Sequence, residues 1–182
     1  MKRTLSPLSL QNWAFRQRQQ DSSKARERTH DLASLIAAED VILNLDAQDG
    51  DVLFDAVGEH WSKRFGLRVD VVSNALRSRE SRGSTALGKG VAIPHARLPF
   101  VHRPLVALVR TRAGVSFDSP DEEPVFLFLV LIVPSECAQE QIQLLSDAAR
   151  IFSRATQRRR LGSCGSSDEV LVILKESEAT PV

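Results

Sequence analysis

Cysteine is scarce in this chain of 182 residues: Cys137 and Cys164 are the only two, and they lie too far apart for a CxxC pair. That excludes a thiolate metal motif, and two unpaired thiols fit a reducing cytoplasm. Histidine is nearly as rare, with four residues, and His95 and His102 are not at a helical i, i+4 interval, so neither a metal nor another cofactor is expected. Long apolar runs are missing too. The longest, VFLFLVLIV over residues 125–133, is nine residues and is stopped by Pro134, far short of the roughly 20 that span a bilayer. It reads as a central strand, and no membrane insertion is expected. Nor is there a large charge of one sign. The net formal charge is +1, which offers no case for a nucleic-acid partner.

The near-neutral total hides an asymmetry. Residues 1–30 hold seven basic and two acidic residues, while the rest holds seventeen basic and twenty-one acidic. The first thirty residues also contain Pro7, clustered Gln and Ser, and no sustained apolar period, so they read as a basic, disordered tail. No continuous apolar stretch there forms a secretory signal. The expected organisation is this tail, one domain over 31–178, and a short C-terminal tail over 179–182.

What the chain does have is RESRGSTALGKGVAIPHAR over residues 79–97. A neutral imidazole is nucleophilic near physiological pH, and arginine offers a planar fork of donors to phosphate oxygens. Glycines let backbone amides approach an anion, and Ser84 and Thr85 add hydroxyl donors. Pro94 biases Ile93 toward an extended conformation. Residues 91–93 should therefore form a short strand that ends at His95 on a stiff mount. The stretch reads as a site that moves a phosphoryl group. GSTALGKG nearly matches a nucleotide-binding loop, but Gly90 stands where the magnesium-binding hydroxyl belongs, no apolar strand precedes Gly83, and an extended VAIP follows where a helix should start.

The segment resembles the type-2 (mannitol/fructose/nitrogen) IIA proteins of the bacterial phosphoenolpyruvate phosphotransferase system, and within them the nitrogen-regulatory branch. The likeness rests on RE, two spacers, GST and LGKGVAIPH, and it continues through SFDSPDEEPVFLFLVLIVPSE over residues 116–136. It implies an α/β fold with a small mixed sheet flanked by helices on both faces. It further implies that His95 is the phosphoacceptor, that Arg79 lies beside it, and that a histidine phosphocarrier (HPr/NPr-like) is the donor. Family members carry a second histidine at the start of the helix after VPSE, and Gln141 stands there in this chain. A glutamine amide can donate a hydrogen bond to a phosphoryl oxygen but carries no proton or charge. Two functions from different classes follow. One is phosphoryl acceptance at His95, stabilised by Arg79, Ser84, Thr85 and Gln141, that regulates a kinase, transporter or transcriptional system. The other is a regulatory binding module that acts without phosphorylation. A sugar-specific component that passes phosphate to a separate IIB protein is the third reading, less favoured because nothing in the chain names a sugar.

Apolar residues at Val52, Leu53, Ala56, Val57, Trp61 and Phe65 mark an amphipathic helix with His60 on its face, and Val69, Val72, Ala75 and Leu76 mark a second that ends near Arg79. Residues 105–111 and 125–133 are expected as strands, the latter buried on both faces. Ile142, Leu145, Ala149 and Phe152 predict the apolar stripe of a helix that starts near Gln139. Ser166 and Glu169 predict the capping box of a last helix. Arg158, Arg159 and Arg160 read as a solvated helix end, Cys164 as a small loop residue, and His102 as exposed.

Overall fold

The computed structural model describes residues 31–179; the basic tail expected over residues 1–30 lies outside them. The elements run α1 (Leu32–Leu35), β1 (Val41–Leu45), α2 (Gly50–Phe65), α3 (Val69–Glu80), β2 (Ala86–Gly88), β3 (Val91–Ala92), β4 (His95–Leu98), β5 (Leu105–Val115), β6 (Val125–Pro134), α4 (Ala138–Ser153), α5 (Ala155–Ser163) and α6 (Ser167–Ala179). The strands form one mixed sheet in the order β1-β5-β6-β3-β2, and β4 also pairs with β6. β5 and β6 are antiparallel, whereas β1 on β5 and both β3 and β4 on β6 are parallel.

The apolar run of β6 sits at the centre of the sheet. Its Leu127, Leu129, Leu131 and Val133 join a core with α1, α4, α5 and α6, while Val125, Phe128, Val130 and Ile132 join a core with α2 and α3. A strand alternates its side chains between the two faces, so a strand covered on both sides must be apolar at nearly every position. Each such side chain contributes about 1.5–3 kcal/mol when fully buried. The two-sided α/β architecture follows from this.

α2 starts where the Asp49 carboxylate accepts a hydrogen bond from the Val52 amide, and ends at Gly66, whose φ of 69° is the left-handed conformation that glycine adopts without strain. α3 is held against it by Arg77, which reaches Asp51 at 2.6 Å and Asp55 at 2.7 Å. The Arg77 guanidinium holds the Asp55 carboxyl below its ordinary range. His60 belongs to the α2 face, and its Nε2 lies 2.8 Å from the buried Asp40 carboxylate. At the start of α6 the Ser166 hydroxyl accepts from the Glu169 amide, as the capping box requires, but the Glu169 carboxylate takes the Gly165 amide rather than that of Ser166.

Two expectations are corrected. The strand before His95 does not run on to it: β3 ends at Ala92, Ile93 and Pro94 interrupt it, and pairing with β6 resumes at His95 opposite Leu131. The break follows from Pro94, which has no amide to donate, although its carbonyl still accepts from the Leu131 amide at 2.9 Å. The buried face of α4 is also rotated from the stripe expected. Gln141, Leu144, Ala148, Ile151 and Phe152 are buried, while Ile142 is 66% exposed.

Candidate functional site

Three elements meet around His95. β4 carries it alongside the central strand β6, the last turn of α3 brings Arg79, and the first turn of α4 brings Gln141. The imidazole is half-buried and bonded at both nitrogens. Nδ1 lies 2.8 Å from the Ile93 carbonyl, and the Arg79 Nε–H donates to Nε2 at 3.0 Å. A guanidinium has no acceptor, so Nε2 must accept, and the ring proton must sit on Nδ1, where it donates to Ile93. The neutral tautomer with its lone pair on Nε2 is thereby selected.

Electrostatics favour the same state. Burial pushes the His95 pKa below its ordinary 6.5, and the charges of Arg79 and Arg97 push it further, against the Ile93 carbonyl and the Glu80 carboxylate. At neutral pH the ring is therefore held in its neutral, singly protonated form within a cationic rim. Two clefts flank it. One, of about 600 Å³, is lined by Arg79, Arg82, His95, Arg97, Gln141 and Ile142 among others. The other, of about 350 Å³, includes Ser84, Thr85 and Leu87 along with Arg79 and His95.

The expected stabilising residues take different parts. Arg79 splits its fork: Nε goes to His95, and Nη1 to the Gly83 carbonyl at 2.8 Å. Gly83 has a φ of 139°, outside the reach of most L-residues, and lets the chain turn back to meet that guanidinium. The Ser84 hydroxyl accepts from the Ala86 amide at 3.1 Å, which leaves its proton to donate. Thr85 is otherwise engaged. Its hydroxyl and amide both donate to the Glu80 carboxylate, at 2.6 and 2.8 Å, and its carbonyl accepts from the Ile93 amide. Thr85 therefore anchors the loop to α3 and, through Ile93, to the histidine mount. The amides of Thr85, Ala86 and Lys89 are all partnered, the last with Asp121 at 2.6 Å, so the glycines of this loop serve its turns.

Gln141 is buried, and its Oε1 accepts from the Arg97 Nε–H. That bond fixes the amide's orientation, because only oxygen can accept from a guanidinium, and it leaves Nε2 as the donor. Arg82 and Arg97 are site residues that reading along the motif missed. For Arg97 a signal was present: it stands two residues after His95 on an extended segment, and therefore on the same face of the strand. Arg82 lies in the turn after α3 and carried no comparable signal. Among the described residues no group of His, Cys, Asp and Glu could hold a metal, and no helix is long and apolar enough to cross a membrane.

Residues 34–177 match the family model "Phosphoenolpyruvate-dependent sugar phosphotransferase system, EIIA 2". A nitrogen regulatory protein of Escherichia coli is 30% identical over 156 residues, which cover 85% of this chain and 96% of that protein. The fructose-specific EIIA component of Haloferax volcanii is 33% identical over 107 residues, 59% of this chain and 70% of that protein. The crystal structure of nitrogen regulatory protein IIA-Ntr from Neisseria meningitidis superposes with a TM-score of 0.75 at 35% identity, covering 79% of this chain and 98% of that one.

Proposed function

The chain belongs to the EIIA type-2 family of the phosphoenolpyruvate-dependent phosphotransferase system, and from that membership we propose that His95 accepts a phosphoryl group through Nε2 from a histidine phosphocarrier of the HPr/NPr kind. The Arg79 Nε–H gives up its bond to Nε2 and turns to a phosphoryl oxygen; the freed lone pair attacks phosphorus as the donor's P–N bond breaks, and that bond's electron pair returns to the donor imidazole. No proton has to move for transfer to proceed. As the new P–N bond forms, the His95 ring gains positive charge, and its Nδ1–H bond to the Ile93 carbonyl stabilises that charge.

The phosphoryl oxygens would meet Arg79, Arg97, the Ser84 hydroxyl and the Gln141 amide. Charged donors held in place before reaction are the strongest means of stabilising a transferring phosphoryl group. Arg97 supplies beside Gln141 the positive charge that a neutral amide lacks, which supports a relay that works without the second histidine. The observation that carries this reading is the Arg79 Nε–H bond to His95 Nε2, since it puts the ring proton on Nδ1 and so supports Nε2 as the attacking atom. The phosphorylation state would then regulate a partner kinase, transporter or transcriptional system, a reading supported by the nitrogen regulatory relatives. The fructose-specific relative supports the other outcome, in which phosphate passes on to a IIB protein.

The test is intact-mass analysis after incubation with phosphoenolpyruvate, the relay's first enzyme and its phosphocarrier. An acid-labile adduct of about 80 mass units on the wild type and none on His95→Ala is expected for a phosphoramidate. An adduct that persists in His95→Ala would overturn the assignment.

A further inference from the structure

A second cleft of about 600 Å³ shares no lining residue with the two around His95. Lys89, Arg110, Arg112, Arg158 and Arg159 line it, and no carboxylate does. This concentration of positive charge stands on a body whose residues beyond the first thirty are net acidic. Two of the guanidiniums are held in place by backbone. Arg110 Nη1 donates to the Cys164 carbonyl at 2.6 Å and its Nη2 to Asn44 Oδ1 at 3.1 Å; Arg158 Nη1 donates to the Phe152 and Ser153 carbonyls. The side chains of Lys89, Arg112 and Arg159 make no hydrogen bond or ion pair among the described residues, so their charges are uncompensated there.

Phe126 supplies the apolar wall. β6 is buried at every position but this one, and Phe126 is 41% exposed and lines the cleft. Gly114 makes room for the ring: a Cβ there would come within 2.8 Å of Cζ. The arginine run of α5 and the lysine of the LGKG turn thus meet at one place, away from the phosphoacceptor. Lys89 reaches it from a left-handed turn, with a φ of 58°.

We propose that this cleft binds a small phosphorylated ligand with a planar apolar body, the chemical class of nucleotides, with its phosphates among the arginines and Lys89 and its ring on Phe126. Arginine forks suit phosphate oxygens, stacking on an exposed aromatic suits a base, and the volume lies within the range of about 300–1,000 Å³ typical of small-molecule sites. The binding mode is not that of a nucleotide-binding loop, since Ser84 and Thr85 line the cleft beside His95 instead. The basic residues converge on one open cleft of small-molecule volume rather than running as a stripe along the surface, which favours a small molecule over a nucleic-acid strand.

The test is fluorescence anisotropy of N-methylanthraniloyl-ATP and -GTP with the full chain at physiological salt, competed by unlabelled nucleotide, inorganic phosphate and a single-stranded oligoribonucleotide. Saturable binding is expected. It should weaken at least about tenfold in the Arg112→Glu/Arg159→Glu double variant, two exposed positions whose reversal places like charge against phosphate. Phe126→Ala should weaken binding of the nucleotides and leave phosphate competition unchanged, and His95→Ala should bind as the wild type does. Thermal melts of each variant confirm that it is folded. Absence of saturable binding, or binding indifferent to both the charge reversal and Phe126→Ala, overturns the proposal. So does loss of binding in His95→Ala, which would place the ligand at the phosphoacceptor. Phosphate competing as well as nucleotide removes the planar body, and an oligoribonucleotide that binds tighter than any mononucleotide makes the cleft part of a nucleic-acid surface.

Discussion

Arg97 and Gln141 form a pair in which each limits the other. Arg97 spends its Nε–H on the glutamine oxygen, and that bond keeps the amide donor free and the guanidinium beside His95. Arg97→Ala should slow phosphoryl uptake by about tenfold, about 1.4 kcal/mol of transition-state stabilisation, without removing the acceptor. Rapid-quench kinetics with the phosphorylated carrier measure this, and an unchanged rate would take Arg97 out of the mechanism. The pH dependence follows from the depressed His95 pKa. Because the folded chain disfavours the protonated ring, the unfolded chain binds more protons between the folded midpoint and about 6.5. Stability should therefore fall as pH drops through that window, with no His95 contribution above it. Uptake should hold its plateau below pH 6.5, and an NMR titration should place the His95 midpoint under 6.5 and shift it upward in Arg97→Ala. A wild-type midpoint at or above 6.5 would contradict this electrostatic reading.

Most of the elements that position the site could be read from periodicity. The four-residue spacing of Leu53, Val57, Trp61 and of Val72, Leu76 set out α2 and α3, and with them the placement of Arg79 at a helix end. What escaped lacked a period. α1 is four residues long and β1 five, with four of the β1 residues half-buried, so neither carries enough alternation to stand out. α4 was placed but rotated, because Ile142 suits an apolar stripe by type and the buried Gln141 does not; the site reverses the usual assignment of the two positions. Helix contact offers its own test. Gly58 on α2 faces α3 so closely that a Cβ would lie 2.9 Å from Ser73 Oγ and 3.0 Å from the Val69 carbonyl. Gly58→Ala should destabilise the fold by about 1–3 kcal/mol through overpacking, read as a lower urea midpoint, and should slow uptake by shifting the helix that carries Arg79. A variant with wild-type stability would show that the α2–α3 spacing gives way freely.

Across the whole molecule, one apolar strand with a helical layer on each face supports a charged site built at its edge. β6 is packed on both faces and β4 lies along it, so His95 is mounted beside the most buried strand of the sheet while Arg79 and Gln141 arrive from α3 and α4, on opposite faces. The motif over residues 79–97 disclosed this site in the sequence because its parts are contiguous. The cleft of Lys89, Arg112 and Arg159 was not legible there, since its residues come from three separate elements that only the fold brings together. The most direct measurement on the central claim is long-range 1H–15N correlation NMR of the full chain with 15N-labelled histidine, before and after phosphorylation by the carrier. The account predicts a neutral His95 with its proton on Nδ1 beforehand and phosphorus on Nε2 afterwards. Phosphorus on Nδ1, or on any residue other than His95, would contradict it.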